Sequence, residues 1–289
     1  MSRLTILRFL SSSFQNLARE ATSLRLLDIS PPMDDPNSSE PIPPPETANA
    51  SRFPQSLPIA DTLSNVHECS YLEDRTASLP LKLPARLLSL DEFDHCLARG
   101  IRRSGVFLYH TSCDQCTACE PSRIDVGKFI WRDSFKRVLK RGDQCLMIRA
   151  ANPSLDDQRL AVFNLHRTQR GLGDPESQYR PEDYESFLVD TCLSQSIELS
   201  FWLNETLVGI SIVDCGRTSL SAVYTYFDPS HSKLSLGTYS ILKQIEFARD
   251  TGRQYAYLGM YVSDNRHLSY KARFTPQERW VVDQWVAFE

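Results

Sequence analysis

The sequence has no apolar run near the roughly 20 residues that a membrane-spanning helix needs, which argues against helical spans and predicts no membrane partner. It also has no excess of positive charge, because 32 Lys and Arg residues stand against 36 Asp and Glu. A polyanionic partner must therefore be argued from local clusters of charge. Hydrophobic residues, at 41%, are sufficient to build the core of one large domain or two smaller ones.

Cysteine is not scarce, with eight residues, but a chain of 289 residues does not need disulfides to hold its fold. Three of the cysteines crowd into Cys113–Cys119, which favours metal ligation or reduced thiols and a cytoplasmic location. Residues 1–19 contain three arginines, four serines and no acidic residue, a composition typical of a transit peptide. An extension without a targeting role has the same composition, and we favour it.

The composition divides the chain into three segments. Residues 28–60 are rich in Pro, Ser, Asp and Asn and bury too little apolar surface to offset the entropy lost on ordering. We therefore predict a disordered N-terminal extension over residues 1–60, with ordered structure from about Leu63. A Cys-containing module with a basic face follows over residues 61–151, and a second domain covers residues 152–289.

Hydrophobic patterning predicts an α/β (α+β) fold with a mostly antiparallel sheet. The first module is predicted to contain a helix at Leu90–Arg99, strands at Val106–His110 and Arg123–Val126, and a basic helix at Trp131–Arg141. The second domain is predicted to contain strands at Leu199–Leu203, Leu207–Val213, Leu220–Phe227, Tyr255–Val262 and Trp280–Phe288, with a helix at Ser235–Asp250. This is the order of elements in an acyltransferase of the N-acetyltransferase (GNAT) type.

The cysteines of the first module are spaced as metal ligands. Cys113, Cys116 and Cys119 form a double C-x-x-C motif, and Cys69 is available as a fourth thiolate. Four such thiolates close a tetrahedral zinc site or hold an iron–sulfur cluster. Three other side chains compete for the fourth position, namely His67, His110 and Cys96. Partly buried, reduced thiols are the alternative.

Positive charge concentrates between Arg99 and Arg141, a segment that contains ten Lys and Arg residues but only four Asp and Glu residues. Such a local excess is typical of a nucleic-acid-binding surface, although a solvated helix face is the alternative for any single residue. The candidates are Arg123, Lys136, Arg137, Lys140 and Arg141.

A small turn, Ser235-Leu-Gly237-Thr238-Tyr239, stands at the start of the predicted helix in the second domain. Backbone N–H groups at a helix N-terminus bind anions. Acyltransferases that bind acetyl-CoA usually carry more glycine there, so this turn is compatible with an acyl donor other than CoA. Tyr226 and Asp228 end the preceding strand, where a GNAT-type cleft would open.

Read together, several motifs resemble the arginyl/leucyl-tRNA–protein transferases of the N-degron pathway. The motifs are Gly100–Gly105, Cys113-x-x-Cys116-x-Ala-Cys119-x-Pro121-x-Arg123, Ser134–Arg141, Leu220–Pro229, Ser235–Tyr239, Tyr257-Leu-Gly259, Tyr270-Lys271 and Phe274-x-Pro276. The resemblance implies a C-terminal GNAT-like fold, an N-terminal Cys-bearing module, and aminoacyl-tRNA as donor. The three-Cys cluster is similar to the bacterial branch, which transfers Leu to N-terminal Asp or Glu and so marks proteins for degradation. The arginyl branch uses the same acceptors.

The implied reaction is attack of an acceptor α-amine on the ester carbonyl of aminoacyl-tRNA, in which positioning supplies most of the acceleration. We expect Asp228, directly or through a water, to act on the amine, and Tyr226 or Gln244 to position the ester. An acidic acceptor needs a carboxylate clamp, for which the candidates are Arg102, Arg103, Lys271 and Arg273. The tRNA would lie along the basic face of residues 123–141, and transfer would need no cofactor.

Two other functions are compatible with the sequence. A CoA-dependent N-acetyltransferase would bind acetyl-CoA and work without tRNA, and the single glycine of the Ser235–Tyr239 turn argues against it. A non-catalytic, zinc-bearing RNA-binding protein would keep its function after replacement of Asp228 and Tyr226. Polar side chains at the strand ends argue against that second function.

Overall fold

The structure, a computed structural model, describes residues 53–172 and 178–289. Its strands are β1 (Ile59–Leu63), β2 (Val66–Glu68), β3 (Thr76–Ser78), β4 (Leu81–Pro84), β5 (Arg102–Ser104), β6 (Phe107–Tyr109), β7 (Glu120–Asp125), β8 (Leu146–Ala151), β9 (Ser196–Leu203), β10 (Thr206–Cys215), β11 (Ser219–Phe227), β12 (Tyr255–Tyr261), β13 (Gln277–Val281) and β14 (Gln284–Phe288). Its α-helices are α1 (Leu90–Ala98), α2 (Asp133–Asp143), α3 (Asp157–Gln169), α4 (Pro181–Tyr184) and α5 (Leu236–Asp250).

An eight-stranded sheet forms the centre of the molecule, in the order β14-β13-β7-β12-β11-β10-β9-β8. Its neighbouring strands are antiparallel except for β11 and β12. A four-stranded sheet, β1-β4-β6-β5, and the hairpin β2-β3 lie beside it. The predicted α/β class, with a mostly antiparallel sheet, is confirmed.

Helix α5 covers one face of this sheet and carries much of the core. The residues predicted to share its apolar face, Leu242, Ile245 and Ala248, are all buried. Helix α2 packs against α5 at Gly142, where an added Cβ would come within 2.2 Å of the Tyr239 ring. Only glycine therefore allows the two helices to approach this closely.

Most predicted elements of the second domain are confirmed. The hairpin of β9 and β10 turns at Asn204 and Glu205, both of which have positive φ angles of 46° and 68°. The single strand predicted at Trp280–Phe288 is wrong, because the chain reverses at Val282 and Asp283 to form the hairpin β13-β14. Both turn residues adopt positive φ although neither is glycine, so the usual signal for a tight hairpin is missing.

The predicted segment boundaries do not follow the sheets. Residues 1–52 lie outside the described part of the chain, but Phe53 and Leu57 are buried and β1 begins at Ile59, before the expected onset at Leu63. Strands β7 and β8, from the predicted first module, belong to the same sheet as β9–β14. The division at residue 151 therefore passes through one continuous sheet. Over the described residues, no helix has the length and apolar character to cross a membrane.

Candidate active site

A cleft opens where the two parallel strands of the large sheet separate. Strands β11 and β12 pair only from Ser219 to Ser221 on one strand and from Tyr255 to Tyr257 on the other. Beyond this point, Tyr224, Thr225 and Phe227 line one side of the cleft, and Leu258–Met260 line the other. The N-terminal turn of α5 closes its end with Ser235–Thr238. The cleft has a volume of about 2190 Å³, large enough for an extended substrate rather than a small metabolite alone.

Two further segments complete the walls. Helix α3 contributes His166 and Arg167, and Arg170 follows directly after it. The turn between β2 and β3 contributes residues 69–75. That turn contacts the loop after β12, where Asn265 Nδ2 donates to the backbone oxygen of Tyr71 at 3.1 Å. The Cys-bearing part of the chain thus forms one wall of the cleft that opens at the end of the large sheet.

Arg102 and Lys271 lie side by side at the point of strand separation. Gly259 has a φ of +93°, and a Cβ placed there would lie 3.4 Å from both Arg102 Nη2 and Lys271 Nζ. Arg102 Nη2 donates to the carbonyl oxygen of Ala222 on β11 at 2.6 Å, and Lys271 Nζ donates to that of Met260 on β12 at 2.6 Å. The two cations therefore bridge the strands that form the cleft.

Neither cation has a carboxylate partner within residues 53–172 and 178–289, although both are buried. Burial, and then the charge of Arg102, lowers the pKa of Lys271 to about 7. Two adjacent buried cations without a counter-ion indicate that an anion binds between them or that one of them is neutral.

Three of the four residues predicted to form the carboxylate clamp reach the cleft, and the fourth, Arg103, is turned away from it. Arg102, Lys271 and Arg273 all line the cleft, and Arg273 is exposed. Arg103 also borders it, but its side chain is 0% exposed and its Nε donates to Asp214 Oδ2 at 2.7 Å. Successive side chains of a strand point in opposite directions, so β5 directs Arg102 to the cleft and Arg103 into the protein. A clamp role for Arg103 is not supported.

Tyr226, predicted to position the ester, lies in the core. It is 0% exposed, and its hydroxyl lies 2.6 Å from that of Tyr184. Phe163 packs edge-on against both rings, and burial raises the pKa of Tyr226 well above its usual value. Tyr226 therefore contacts no substrate, and the pair it makes with Tyr184 fixes α4 against the sheet.

Gln244 and Asp228 also lie outside the lining of the cleft. Gln244 Nε2 donates to Ser211 Oγ at 2.7 Å and to Ser240 Oγ at 3.0 Å, and both hydroxyls bond Thr225 Oγ1, which lines the cleft. Gln244 thus orients Thr225 from below. Asp228 caps the 3₁₀ turn Pro229–Leu234, where its Oδ1 accepts from the Ser230 N–H at 2.8 Å. The direct roles predicted for both residues are not supported.

Four of the five predicted tRNA-binding residues form an exposed surface on α2, namely Lys136, Arg137, Lys140 and Arg141. The helix begins at Asp133 rather than at the predicted Trp131. At its other end Arg141 donates to the backbone oxygen of Lys233, next to the residues that close the cleft. The basic helix surface therefore leads to the edge of the cleft.

Arg123, the fifth predicted tRNA-binding residue, is held inside the protein. Its guanidinium lies between the rings of Tyr255 and Trp285, at 4.0 Å and 4.1 Å from their centroids. Its Nε donates to Glu278 Oε2 at 2.6 Å, and its side chain is 11% exposed. These contacts join β7, β12 and the β13-β14 hairpin, so Arg123 stabilises the sheet and is not free to bind phosphate.

The cysteine cluster is gathered beside the cleft, and all eight cysteines of the chain are free thiols. Burial, and then the neighbouring Cys69, Cys113 and Cys116, raises the pKa of Cys119 to about 12. The N–H of Ser78 donates to Cys113 Sγ at 3.4 Å. Over the described residues, no three His, Cys, Asp or Glu side chains are arranged around one centre as in a formed metal site.

Sequence reasoning missed the contribution of α3. His166 Nδ1 lies 2.9 Å from the carbonyl oxygen of Phe227, and burial lowers the pKa of His166 to about 4. Arg167 stacks on Tyr179 with its guanidinium 4.2 Å from the ring centroid. The signal was present in the Asp156 N-cap and in the three- and four-residue spacing of the cationic side chains, which places them on one helix face.

Comparison with known proteins identifies the family of the chain. The family described as arginine-tRNA-protein transferase matches the chain twice, with its N terminus over residues 67–137 and its C terminus over residues 158–281. The chain is 33% identical over 227 residues to an aspartate/glutamate leucyltransferase of Thiobacillus denitrificans, covering 78% of this chain and 94% of that protein. It is 34% identical over 223 residues to an aspartate/glutamate leucyltransferase of Hahella chejuensis, covering 76% of this chain and 93% of that protein.

Among solved structures, the chain is similar to a tandem GNAT protein from the clavulanic acid biosynthesis pathway, with a TM-score of 0.38 at 14% identity, covering 73% of this chain and 58% of that one. The sequence relatives span most of both chains, and they match the family that the motifs predict. The chain therefore belongs to the arginyl/leucyl-tRNA–protein transferase family, and it is an aminoacyltransferase.

Proposed function

We propose that this aminoacyltransferase conjugates Leu from Leu-tRNA to proteins that begin with Asp or Glu, and so marks them for degradation. The observation that carries the proposal is the pair of cations, Arg102 and Lys271, which has no acidic partner in the described structure and lies where β11 and β12 separate. An acceptor with an acidic side chain would supply the missing anion. The names of the relatives in Thiobacillus and Hahella favour Leu as the donor, and Arg from Arg-tRNA is the alternative.

The chemistry asks little of the protein beyond placement of the two substrates. The ester of an aminoacyl-tRNA is already activated, and the acceptor α-amine has a pKa of about 8. A cleft that holds both reactants in line makes the attack effectively intramolecular. Thr225 and the α5 turn face this space and would donate hydrogen bonds near the carbonyl oxygen as negative charge develops on it.

Transfer of labelled amino acid from charged tRNA to peptides that begin with Asp, Glu or Ala tests the proposal. We expect label from Leu-tRNA on the Asp and Glu peptides and none on the Ala peptide. Label from Arg-tRNA alone would select the arginyl alternative. Transfer from acetyl-CoA without tRNA, or tRNA binding without any transfer, would contradict the proposal.

The α2 surface is proposed to bind the tRNA backbone. Replacing Lys136, Arg137 and Lys140 together by Gln should weaken binding of aminoacyl-tRNA by about tenfold or more, and lower its salt dependence by about one unit of slope per lost phosphate contact. Filter binding at several salt concentrations measures both effects. Arg86→Gln is the matched control, because Arg86 is exposed on another part of the molecule and pairs with Glu92. If the salt dependence of tRNA binding is unchanged in the triple variant, the tRNA does not bind at the α2 surface.

The four gathered thiols are proposed to hold a structural zinc ion or an iron–sulfur cluster, while transfer itself needs no cofactor. Support comes from the donor set and from the N–H of Ser78, which donates to Cys113 Sγ and could act as a second-shell donor to a metal-bound thiolate. Protein purified without oxygen should contain zinc, or iron with sulfide, and Cys116→Ser should lose it along with stability. Metal analysis that finds neither element would refute the site. Reduced thiols fit the cytoplasm, where we place the reaction.

A further inference from the structure

Lys271 differs from the other cations around the cleft in its burial and its surroundings. It is 7% exposed, while Arg273 on the same 3₁₀ turn is exposed. The charged group that faces Lys271 is Arg102, from β5. Strand β12 presents a backbone carbonyl, that of Met260, and the turn Ser269–Arg273 adds Tyr270 and Arg273. A lysine enclosed in this way is poorly suited to remain a permanent positive charge.

We propose that Arg102 and Lys271 bind different groups of the acceptor's first residue. Arg102 binds its side-chain carboxylate, and neutral Lys271 removes a proton from its α-ammonium group. The inference rests on the proposed function and assigns a catalytic base to the same cleft. In an N-terminal Asp residue the two groups are close neighbours, as are the two cations at Gly259. Arg is suited to the carboxylate by its fixed charge and paired donors.

Binding of the acceptor carboxylate to Arg102 is expected to change the basicity of Lys271. Because burial and the charge of Arg102 lower the pKa of Lys271 to about 7, its amine takes a proton from an α-ammonium group of pKa about 8 at little cost. When the acceptor carboxylate binds Arg102, it offsets the positive charge that faces Lys271. Lys271 is then a stronger base in the complex than in the free enzyme. An acidic acceptor therefore raises the rate of the chemical step as well as its own affinity.

The protons balance through one turnover. The α-ammonium group gives one proton to Lys271, and the resulting amine attacks the ester carbonyl carbon and forms the C–N bond. As the bond to the 3′ oxygen of the tRNA breaks, the Lys271 ammonium returns its proton to that oxygen. The second proton that the nitrogen loses on becoming an amide passes to solvent. The free enzyme is restored with Lys271 neutral.

The test compares two acceptors with wild type and Lys271→Met at pH 7. One acceptor is a peptide with N-terminal Asp, and the other is the same peptide with an aminooxysuccinyl group in place of Asp, whose nucleophile is already neutral. We expect Lys271→Met to lose about 100-fold or more with the Asp peptide, within the range of a general base, and less than about fivefold with the aminooxy peptide. Lys243→Met is the control, because Lys243 lies outside the cleft lining and pairs with Glu246.

Equal losses with both acceptors would overturn the inference and leave Lys271 a binding or structural residue. No loss with either would overturn it as well. Failure of the wild type to transfer any amino acid to the Asp peptide would instead refute the proposed function, so the two failures are distinguishable. In wild type, kcat/KM for the Asp peptide should also fall as the pH drops below about 7. In Lys271→Met the fall should instead begin near pH ~8, the pKa of the acceptor amine, because only its neutral form then reacts.

Unfolding experiments provide a readout that is independent of activity. Lys271 binds its proton less tightly in the folded protein than in the unfolded chain, where the pKa is about 10.4. Between pH 7 and 10 the unfolded chain binds more protons, so folding is favoured as the pH rises. The thermal midpoint of wild type should therefore rise relative to that of Lys271→Met across this interval. Parallel curves for the two proteins would show that Lys271 remains charged and would overturn the inference.

Discussion

Replacement of Arg102 by Met is expected to lower kcat/KM for a peptide with N-terminal Asp by about 30-fold to several thousand-fold. Loss of one partner of a buried, hydrogen-bonded charge pair costs about 2–5 kcal/mol, and each 1.36 kcal/mol is a factor of ten. Arg102 is buried at the base of the cleft, and its Nη2 is oriented by the carbonyl oxygen of Ala222. The measurement is transfer at saturating aminoacyl-tRNA.

The same assay with an N-terminal Asn peptide separates recognition from damage to the fold. Wild type should strongly prefer Asp over Asn, and Arg102→Met should show little preference, since the partner of the carboxylate is gone. Arg102→Lys should keep part of the preference, because it retains charge without the paired donors of the guanidinium. Equal losses for Asp and Asn in Arg102→Met would mean that Arg102 only braces β11. Thermal unfolding provides the control for folding.

Replacement of the next residue, Arg103, by Met is expected to destabilise the protein by about 3–5 kcal/mol, which corresponds to a fall of about 6–20 °C in the thermal midpoint. The side chains of Arg103 and Asp214 are 0% and 1% exposed. Arg103 also donates to the carbonyl oxygens of Gly105 and Asp190. Its removal leaves the Asp214 carboxylate buried without a cation, and such a charge is costly.

The double variant Arg103→Met with Asp214→Leu is the matched control. Removing both charges relieves the unpaired carboxylate, so much of the lost stability should return. Calorimetry or denaturant unfolding measures the difference, and the folded fraction of Arg103→Met should retain its preference for Asp over Asn. A single variant as stable as wild type would contradict the role assigned to this ion pair. Replacement of Arg102 is thus expected to impair recognition of the acceptor, and replacement of its neighbour Arg103 is expected to impair folding.

Sequence periodicity predicted the elements whose burial pattern is regular. Helix α5 was predicted because its apolar residues recur at helical spacing, and β9, β10 and β11 because long apolar runs end at turn residues. The hairpin β13-β14 was missed because its turn, Val282 and Asp283, contains neither glycine nor an Asn like the one that begins the β9-β10 turn. The insertion of β7 between β12 and β13 could not be predicted, since nothing local in a six-residue strand identifies distant partners.

The sequence indicates which residue types line the cleft, but it does not show in which direction each side chain points. The motifs predict Arg102 and Lys271 as site cations, and the fold brings them together from distant parts of the chain. The same motif predicts Arg103, but the alternation of side chains along a strand points it away from the cleft. Tyr226 and Asp228 were placed by their position at a strand end, which does not reveal whether a hydroxyl finds a core partner or a carboxylate caps a turn.

The position of β7 also constrains when the protein can fold during its synthesis. Both neighbours of β7, which are β12 and β13, leave the ribosome after most of the chain. Until then β7 has two unpaired edges, and Arg123 lacks the aromatic rings and the carboxylate that enclose it. Pairing between strands so far apart in sequence is slow, and it exposes the nascent chain to aggregation. The first half of this enzyme therefore depends on residues 255–281 to complete its own structure, and chaperones that hold unfinished chains should engage it before release.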